Sequence, residues 1–198
     1  MKTMKTILAA LGFIFVSLGA CQNVSNPPWT PTAECTWPDK AHINATFNNI
    51  GNGSIDNFWA IVADNVSWTV MGSHPLAGHY SSLATFLNST TDRLAAATVG
   101  GGIGNNTIWN IIGGCVEEWS VIEMIGQHTF LNGMPYDNQL SWSTRWNTKG
   151  IIEEVHGYVN GAIIALGIFL NEITTNGTYL TERTNGYDGT CSGFPSFT

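Results

Sequence analysis

The second half of this chain is a series of β-rich segments separated by short turns. The segments lie at residues 107–115, 116–131, 139–147 and 151–159. Turn-forming pairs such as Asn132-Gly133 and Lys149-Gly150 separate the later segments, as in β-hairpins. Hairpin-connected strands form an antiparallel sheet, and such a sheet packs one face against another layer. The pattern therefore predicts an antiparallel sheet covered by helices.

Most of the predicted helices precede these strands. Apolar residues recur at helical spacing over residues 39–50, 54–62 and 81–96, and a β-rich segment at 66–71 lies among them. A further apolar helix is predicted at residues 161–172. Helices followed by an antiparallel meander predict an α+β fold in which N-terminal helices pack in a curved antiparallel sheet around a pocket.

The composition narrows the possible environments and partners. Charged residues make up only 11% of the 198 residues, whereas about 25% is usual. Much of the polar surface must come from 19 Asn, 13 Ser and 22 Thr residues, which is typical of a secreted glycoprotein. A hydrophobic fraction of 43% is sufficient for a sizeable core, and the net charge of −7 argues against a nucleic-acid partner.

The N-terminus resembles a secretory leader. Two lysines precede an apolar run at residues 7–16, and small residues follow up to Ala20. We therefore expect a signal peptide at residues 1–20, cleavage after Ala20, an extracellular protein and no membrane segment afterwards. An alternative stays open, because Leu18-Gly19-Ala20-Cys21 also fits a bacterial lipobox, in which Cys21 would be lipidated.

Sequons and cysteines agree with an oxidising, secretory compartment. Six sequons are predicted to carry glycans: Asn23, Asn44, Asn52, Asn88, Asn105 and Asn176. A seventh, Asn65, adjoins a predicted strand, which disfavours its modification. Four cysteines predict two disulfides. Of the three possible connectivities we favour Cys21–Cys35, which is local, with Cys115–Cys191, which would hold the C-terminal tail.

Five stretches of sequence carry a family resemblance. Residues 68–80 read WTVMGSHPLAGHY. The second half contributes VIEM at 121–124, NGMPYDN at 132–138, the segment 142–146, and IEEV at 152–155 with Tyr158. Together these motifs resemble the SnoaL-like proteins of the NTF2-like superfamily, notably fungal members. The resemblance divides the chain into a signal peptide, an extended lead-in at 21–38, a SnoaL-like domain at 39–172 and a tail at 173–198.

The resemblance implies a cone-shaped α+β barrel around an apolar cavity. Relatives with this fold are often dimeric and act as polyketide cyclases, isomerases, dehydratases or plain ligand binders. We therefore expect a small apolar molecule as partner and a possible homodimer. Neither a metal nor a cofactor is expected, because no metal-ligand spacing, dinucleotide motif or Walker motif is present.

Two positions depart from the catalytic pattern of the family. The final strand of relatives usually ends in Tyr-x-Asp, whereas this chain has Asn160 after Tyr158. Ketosteroid isomerase has its base at the end of the first strand, where this chain has Thr69. Neither an amide nor a hydroxyl exchanges protons near neutral pH, so a general base must be sought elsewhere.

Glu123 and His156 are the candidate catalytic residues. In a regular strand, Glu123 shares a face with Trp119 and other apolar residues, so burial would raise the pKa of its carboxyl and Arg145 could lower it by pairing. A purely structural ion pair between Glu123 and Arg145 is the alternative. His156 would lie near the position of the missing acid, and its alternative is a partly exposed histidine paired with Glu154.

The predicted ligand-binding set combines aromatic and polar residues: Trp68, His74, Tyr80, Trp142, Arg145, Tyr158 and Asn160. Such walls suit a flat apolar ligand with one or two polar groups. His74 has two interpretations, a hydrogen bond at the cavity rim or a structural turn. The sequence thus predicts proton-transfer chemistry on an apolar carbonyl compound, or, as the alternative, a ligand-binding protein that has lost the family's acid.

Overall fold

The computed structural model describes residues 28–102 and 104–172. Helices and strands follow one another in this order: α1 (Lys40–Gly51), α2 (Ile55–Trp59), β1 (Val62–Val70), β2 (Gly78–Tyr80), α3 (Leu83–Phe86), a π-helical turn (Leu87–Thr91), α4 (Asp92–Ala96), a 3₁₀ turn (Val99–Gly101), β3 (Asn105–Gly113), β4 (Trp119–Thr129), β5 (Pro135–Trp146), β6 (Ile152–Tyr158) and α5 (Gly161–Glu172). The predicted α+β class is confirmed.

The six strands form one sheet in the order β2-β1-β6-β5-β4-β3. The pairing is antiparallel throughout except between β1 and β6, which run parallel. The second-half hairpins pair as the turns predicted, with Ile122 opposite Trp142 and Trp142 opposite Gly157. Because β1 pairs with the last strand, the N-terminal part of the chain completes the sheet.

One face of the sheet, the inner face, packs against the helices. On β4, alternate residues Ser120, Ile122 and Met124 are buried, and their neighbours are partly exposed. Phe47 from α1 and Trp146 from β5 belong to the same buried cluster. A second cluster joins α5 to the far end of β4 and β5. The core therefore lies between the curved sheet and the helices.

Local chemistry explains the position of α1. The Asp39 carboxylate accepts a hydrogen bond of 2.8 Å from the backbone N–H of His42 and so caps the first turn. The other end of α1 approaches β3 closely, since a Cβ on Gly51 would lie 2.4 Å from the carbonyl oxygen of Asn106. Only glycine permits this contact, which brings α1 against the sheet.

The helix predicted at residues 81–96 is divided into three pieces. Ser82 caps α3 by accepting from the N–H of Thr85, and the π-helical turn then inserts one extra residue before α4. The Thr90 hydroxyl donates to the carbonyl oxygen of Phe86 at 2.6 Å. Helical periodicity did not reveal this interruption. Threonine can make the same hydrogen bond in a regular helix, so the presence of Thr90 does not by itself predict a π-helical turn.

The strand predicted to begin at residue 116 begins at Trp119. Gly113, Gly114 and Cys115 all have positive φ, so the chain turns here instead of continuing as a strand. Other strands also differ from the prediction: β1 and β5 each begin four residues earlier, at Val62 and Pro135, and the three-residue strand β2 was not predicted. Short edge strands carry too little periodicity to be recognised in sequence.

The favoured disulfide pairing is wrong. Cys35 is bonded to Cys115, with the two Cα atoms 4.2 Å apart. Backbone hydrogen bonds from Trp37 to Cys115 and from Cys115 to Pro38 hold the two segments side by side. The lead-in therefore lies against the turn before β4, which the sequence did not indicate. The other two cysteines, Cys21 and Cys191, lie outside the described residues.

Several predictions about processing concern residues beyond the described part of the chain: the signal peptide, the tail, Asn23 and Asn176. The side chains of five sequons that are described lie at exposed positions: Asn44, Asn52, Asn65, Asn88 and Asn105. No helix among the described residues has the length and apolar character needed to cross a membrane.

Candidate active site

A partly open cavity of about 90 Å³ lies between the inner face of the sheet and the helices. Most of its walls are aromatic or aliphatic, and these residues come from both layers: Ile50, Trp59, Trp68, Val70, Leu76, Phe86, Leu94, Leu140, Trp142, Val159 and Ile164. Ligand pockets for drug-sized molecules usually measure about 300–1,000 Å³. The cavity as it stands therefore suits one small, flat molecule.

Aromatic rings fill much of the space that the cone encloses. The rings of Trp68 and Phe86 stack with their centroids 3.8 Å apart and their planes 14° apart. Trp142 packs edge-on against Trp68, with ring centroids 5.0 Å apart. A planar unsaturated molecule would meet matching π surfaces here.

His74 is a titratable residue in the cavity wall. It lies in the turn between β1 and β2 and is 3% exposed. Its Nε2 is 3.1 Å from the carbonyl oxygen of Met71. A carbonyl oxygen can only accept, so Nε2 carries the proton, and in the neutral imidazole Nδ1 is then the basic nitrogen. His74 therefore lies in a structural turn that also forms part of the cavity wall.

The turn that carries His74 is fixed from several sides. The N–H of Ala77 donates to the carbonyl oxygen of His74 at 2.9 Å. Arg93 on α4 donates to the carbonyl oxygen of Pro75 at 3.3 Å and forms an ion pair with Glu172 at the end of α5. These contacts fix the backbone of the turn from outside the cavity, and the backbone in turn sets where the imidazole lies.

Tyr136 and Asn138 supply hydrogen-bonding groups on another wall. Both are buried on the inner face of β5, and Asn138 donates from Nδ2 to the Tyr136 hydroxyl at 2.8 Å. The hydroxyl accepts this bond and can still donate its own proton. Burial raises the pKa of Tyr136, although the hydrogen bond from Asn138 acts in the opposite direction. Tyr136 therefore stays protonated at neutral pH and is a hydrogen-bond donor.

Three further polar side chains line the cavity: Thr90, Thr91 and Asn106. The two threonines lie in the π-helical turn, a feature that is frequent at functional sites. The cavity lining contains no carboxylate, lysine or arginine, and His74 is its one imidazole. Among the described residues, no group of three His, Cys, Asp or Glu side chains could hold a metal ion. The cavity thus offers one imidazole and several neutral donors.

The expectation that Glu123 lies in the cavity is wrong. Glu123 does share a face with Trp119, Val121 and Ile125, as alternation predicted, but this is the outer face of the sheet. Its carboxylate accepts a hydrogen bond of 3.0 Å from Asn110, and the predicted pairing with Arg145 does not occur. Ile122 and Met124 point inwards instead.

His156 and Arg145 also lie on the outer face. His156 Nε2 is 3.1 Å from a carboxylate oxygen of Glu154, the arrangement given as its structural alternative. Arg145 donates to Glu153 at 3.0 Å and to Glu154 at 3.1 Å. These hydrogen bonds raise the pKa of Arg145, with Glu154 the largest cause. The four residues form a partly exposed ion-pair network away from the cavity.

The other predicted residues separate into two groups. Trp68, His74 and Trp142 line the cavity. Tyr80 is buried nearby, but its hydroxyl donates to the carbonyl oxygen of Leu76 and it is not part of the cavity wall. Half-exposed Tyr158 joins Glu123 and Asn160 in a shallow groove on the outer face, here called the outer groove.

Asn160 has a structural task in place of the family's acid. Its backbone N–H donates to Oδ1 of Asn138 at 2.8 Å, and its own Oδ1 accepts a hydrogen bond from Ile163 in the first turn of α5. Asn160 thus connects the start of α5 to the amide that holds Tyr136.

Sequence reasoning missed Tyr136 and Asn138. The strand was predicted to begin at residue 139, so neither residue was assigned to it, whereas the strand begins at Pro135. Extending the period of two backwards from Trp142 and Leu140 would have placed them on the buried face.

Two curated fungal proteins are similar in sequence over most of this chain. The dimerizing cyclase phiC of a fungal species is 30% identical over 158 residues, which cover 80% of this chain and 68% of that protein. The dimerizing cyclase tstC of Talaromyces stipitatus is 28% identical over 162 residues, with the same coverage. No protein-family model matches the chain.

Solved structures show the same fold at low sequence identity. An NTF2-like protein of Burkholderia thailandensis has a TM-score of 0.53 at 15% identity and covers 64% of this chain and 93% of its own. An NTF2-like protein of Burkholderia pseudomallei has a TM-score of 0.51 at 14% identity, also covering 64% and 93%. These similarities establish the fold. At such low identity they say nothing about the reaction, which must be inferred from the residues of the site.

Proposed function

Because this chain belongs to the SnoaL-like family of dimerizing cyclases, which have the NTF2-like fold, we propose that it is a ring-forming enzyme for small neutral carbonyl compounds. His74 is the proton acceptor and donor, and Tyr136 stabilises negative charge on the carbonyl oxygen. The names of the relatives describe a reaction that joins two molecules and closes a ring. Carbon–carbon bond formation through an enolate meets that description.

One observation carries the proposal: the Met71 carbonyl selects the tautomer of a buried histidine. Because Nε2 of His74 donates to that carbonyl, Nδ1 is the nitrogen that can accept a proton. The nitrogen belongs to a residue of the cavity wall, where the low dielectric strengthens each hydrogen bond. An imidazole exchanges protons near neutral pH, which the side chains at Thr69 and Asn160 do not.

The first step is proton transfer. Nδ1 of His74 removes a proton from the carbon next to the substrate carbonyl, and the electron pair of that C–H bond forms an enolate. The developing negative charge lies on the carbonyl oxygen, where the Tyr136 hydroxyl donates a hydrogen bond. Buried, preorganised donors of this kind stabilise an oxyanion strongly because they need no reorientation during the reaction.

The second step forms the new bond. The enolate carbon attacks the electron-poor alkene carbon of a second molecule, and the electron pair of that alkene moves onto its own carbonyl oxygen. The resulting enolate takes the proton back from the His74 imidazolium, so the enzyme returns to its starting state. A further deprotonation and addition within the joined molecule closes the ring. If the proton instead returns to another carbon of the first molecule, the outcome is isomerisation.

The test uses a probe that reports only the proton-transfer step. 3-Cyclopentenone loses a proton from C2 and regains one at C4 to give 2-cyclopentenone, whose conjugated enone absorbs in the ultraviolet. We expect the purified protein to accelerate this conversion. His74→Ala and the more conservative His74→Gln should both lower kcat about 10²–10⁴-fold. Tyr136→Phe should lower it about 10²-fold.

Tyr158→Phe is the matched control, because Tyr158 lies on the outer face. It should leave the rate unchanged, and circular dichroism should show that all variants are folded. Full activity in both His74 variants would contradict the proposal. Binding of the probe to the wild-type protein without any acceleration would instead support the non-catalytic ligand-binding alternative.

We also propose that the protein is secreted and glycosylated. The apolar leader and the exposed positions of the described sequons support this. Expression of the full chain in a filamentous fungus should release a protein that lacks residues 1–20 and loses mass on treatment with an N-glycosidase. An unglycosylated protein retained in the cell would contradict this part of the proposal.

A homodimer is proposed as well, and the outer face of β3 supports it. Trp109 and Ile112 on this strand are 61% and 51% exposed, more than is usual for large apolar side chains unless a partner covers them. Light scattering should give twice the mass of the mature chain, and Trp109→Ser with Ile112→Ser should give monomers. A monomeric wild-type protein would contradict the proposal.

A further inference from the structure

A second hollow adjoins the cavity on the helix side. We call it the vestibule; it measures about 480 Å³ and is lined by residues of α1, α2 and α4 and by Gly101, Gly102 and Gly104. Ile50, Trp59 and Thr91 line both spaces. The cavity and the vestibule therefore adjoin each other at these three side chains. Trp59 is partly exposed, as expected for a residue with one side towards each space.

The two spaces differ in size and in charge. A dry cavity of about 150 Å³ accommodates one benzene molecule, so the cavity of about 90 Å³ holds no more than one small molecule. The vestibule has room for another. Its lining includes the carboxylates of Asp56 and Asp92 and no lysine, arginine or histidine, whereas the cavity lining has no carboxylate.

We infer that the vestibule binds the second substrate molecule of the ring-forming reaction, while the first occupies the cavity beside His74. This inference rests on the proposed function, because only a reaction between two molecules needs two adjacent sites. Bond formation would then take place at the boundary formed by Ile50, Trp59 and Thr91. The π-helical turn contributes by placing Thr91 at that boundary.

The charges of the vestibule define the class of molecule that it takes. The two carboxylates of the lining repel an anion and accept hydrogen bonds from hydroxyl groups. Ile55, Leu87 and Ala95 add apolar surface. The second substrate is therefore a neutral, partly apolar molecule, preferably with a hydroxyl group, and a carboxylate-bearing one is disfavoured.

The first experiment follows binding of 2-cyclopentenone by NMR. In the wild-type protein the indole N–H signals of Trp68 and Trp142 report the cavity, and the amide signals of Gly53 and Gly101 report the vestibule. We expect both pairs to shift, with two different saturation curves. Ala95→Phe fills the vestibule and should abolish the shifts at the two glycines.

The matched control is Ala96→Phe, which changes the neighbouring, exposed position of the same helix. It should retain both sets of shifts. The inference is overturned if the glycine signals of the wild type do not respond when the cavity is saturated, or if they respond equally in Ala95→Phe. Isomerisation of 3-cyclopentenone by the wild type and the His74 variants is measured separately. Loss of the proposed chemistry would appear in the isomerisation rate, and loss of the second site would appear in the glycine signals. The two proposals can therefore fail independently.

A second experiment tests the charge preference with 4-oxopent-2-enoate, an enone that carries a carboxylate. Asp56→Asn combined with Asp92→Asn should strengthen binding of this anion at the vestibule signals roughly threefold to tenfold, and leave 2-cyclopentenone unchanged. Asp64→Asn, an exposed change on β1, is the control and should have no effect. An equal gain in the control, or no gain in the double variant, would refute the charge preference.

Discussion

The inner and outer faces of β4, β5 and β6 carry different chemistry although the same strands form both. The inner face presents aromatic, aliphatic and neutral polar groups, among them Tyr136 and Asn138. The outer face presents charged groups such as Glu123, Arg145 and Glu154, paired with polar neighbours. An unpaired charge is costly to bury, so charges collect where water solvates them. Charged residues on these strands therefore identify the solvent side, and the cavity lining contains no carboxylate, lysine or arginine.

The largest effect that separates the two faces concerns stability. Ile122 is fully buried on the inner face, whereas adjacent Val121 is partly exposed on the outer face. Ile122→Ala should lower the free energy of unfolding by about 2–5 kcal/mol, because it leaves a cavity in the core. Val121→Ala should cost less than about 1 kcal/mol. Urea unfolding measures both, and equal losses would contradict the assignment of the faces.

Two serines on opposite faces, Ser120 and Ser143, should differ by a smaller amount in their effect on stability. Ser120 is buried on the inner face, where its hydroxyl accepts a hydrogen bond of 2.8 Å from the Trp146 indole and makes another of 2.8 Å with Thr144. Ser120→Ala should cost about 1–3 kcal/mol, because it leaves a buried donor without its acceptor. Ser143→Ala on the outer face should stay within about 0.5 kcal/mol of wild type. Thermal unfolding measures the stability of both variants. A larger loss of stability in Ser143→Ala than in Ser120→Ala would contradict the assignment of the faces.

The smallest effect belongs to the ion-pair network of the outer face. Arg145 contacts Glu153 and Glu154, but all three side chains are partly exposed, at 28–38%. Arg145→Met should therefore cost about 0–1 kcal/mol, and the difference from wild type should shrink in about 1 M NaCl. Lys149→Met in an exposed turn is the control. A cost that persists undiminished at high salt would mean that the network supports the fold by packing rather than by charge.

Local patterns predicted much of the fold. The hairpins of the second half, α1 and α5 follow from turn residues and apolar periodicity, which act over a few neighbouring positions. The Cys35–Cys115 bond joins segments 80 residues apart, and the division of the helix at residues 87–91 accompanies a side-chain hydrogen bond from Thr90 to the carbonyl oxygen of Phe86. Such contacts leave no periodic trace in the sequence.

The site was harder to predict, because both rows of β4 look apolar. Alternation grouped Glu123 correctly with Val121 and Ile125, yet the row of Ile122 and Met124 is the one that packs against the helices. A period of two divides a strand into two faces without saying which one is covered. The family resemblance predicted Trp68, Trp142 and His74 near the cavity. Tyr136 was missed because β5 was predicted to begin at residue 139 and begins at Pro135.

A crystal structure with 2-cyclopentenone bound tests the central claim most directly, because it shows which face of the sheet carries the site. We expect the ring in the cavity, its carbonyl oxygen within hydrogen-bond distance of the Tyr136 hydroxyl and a ring carbon beside Nδ1 of His74. The ligand should contact the stacked pair formed by the Trp68 and Phe86 rings. A molecule bound instead in the outer groove beside Glu123 and Tyr158, with the cavity unoccupied, would contradict the account.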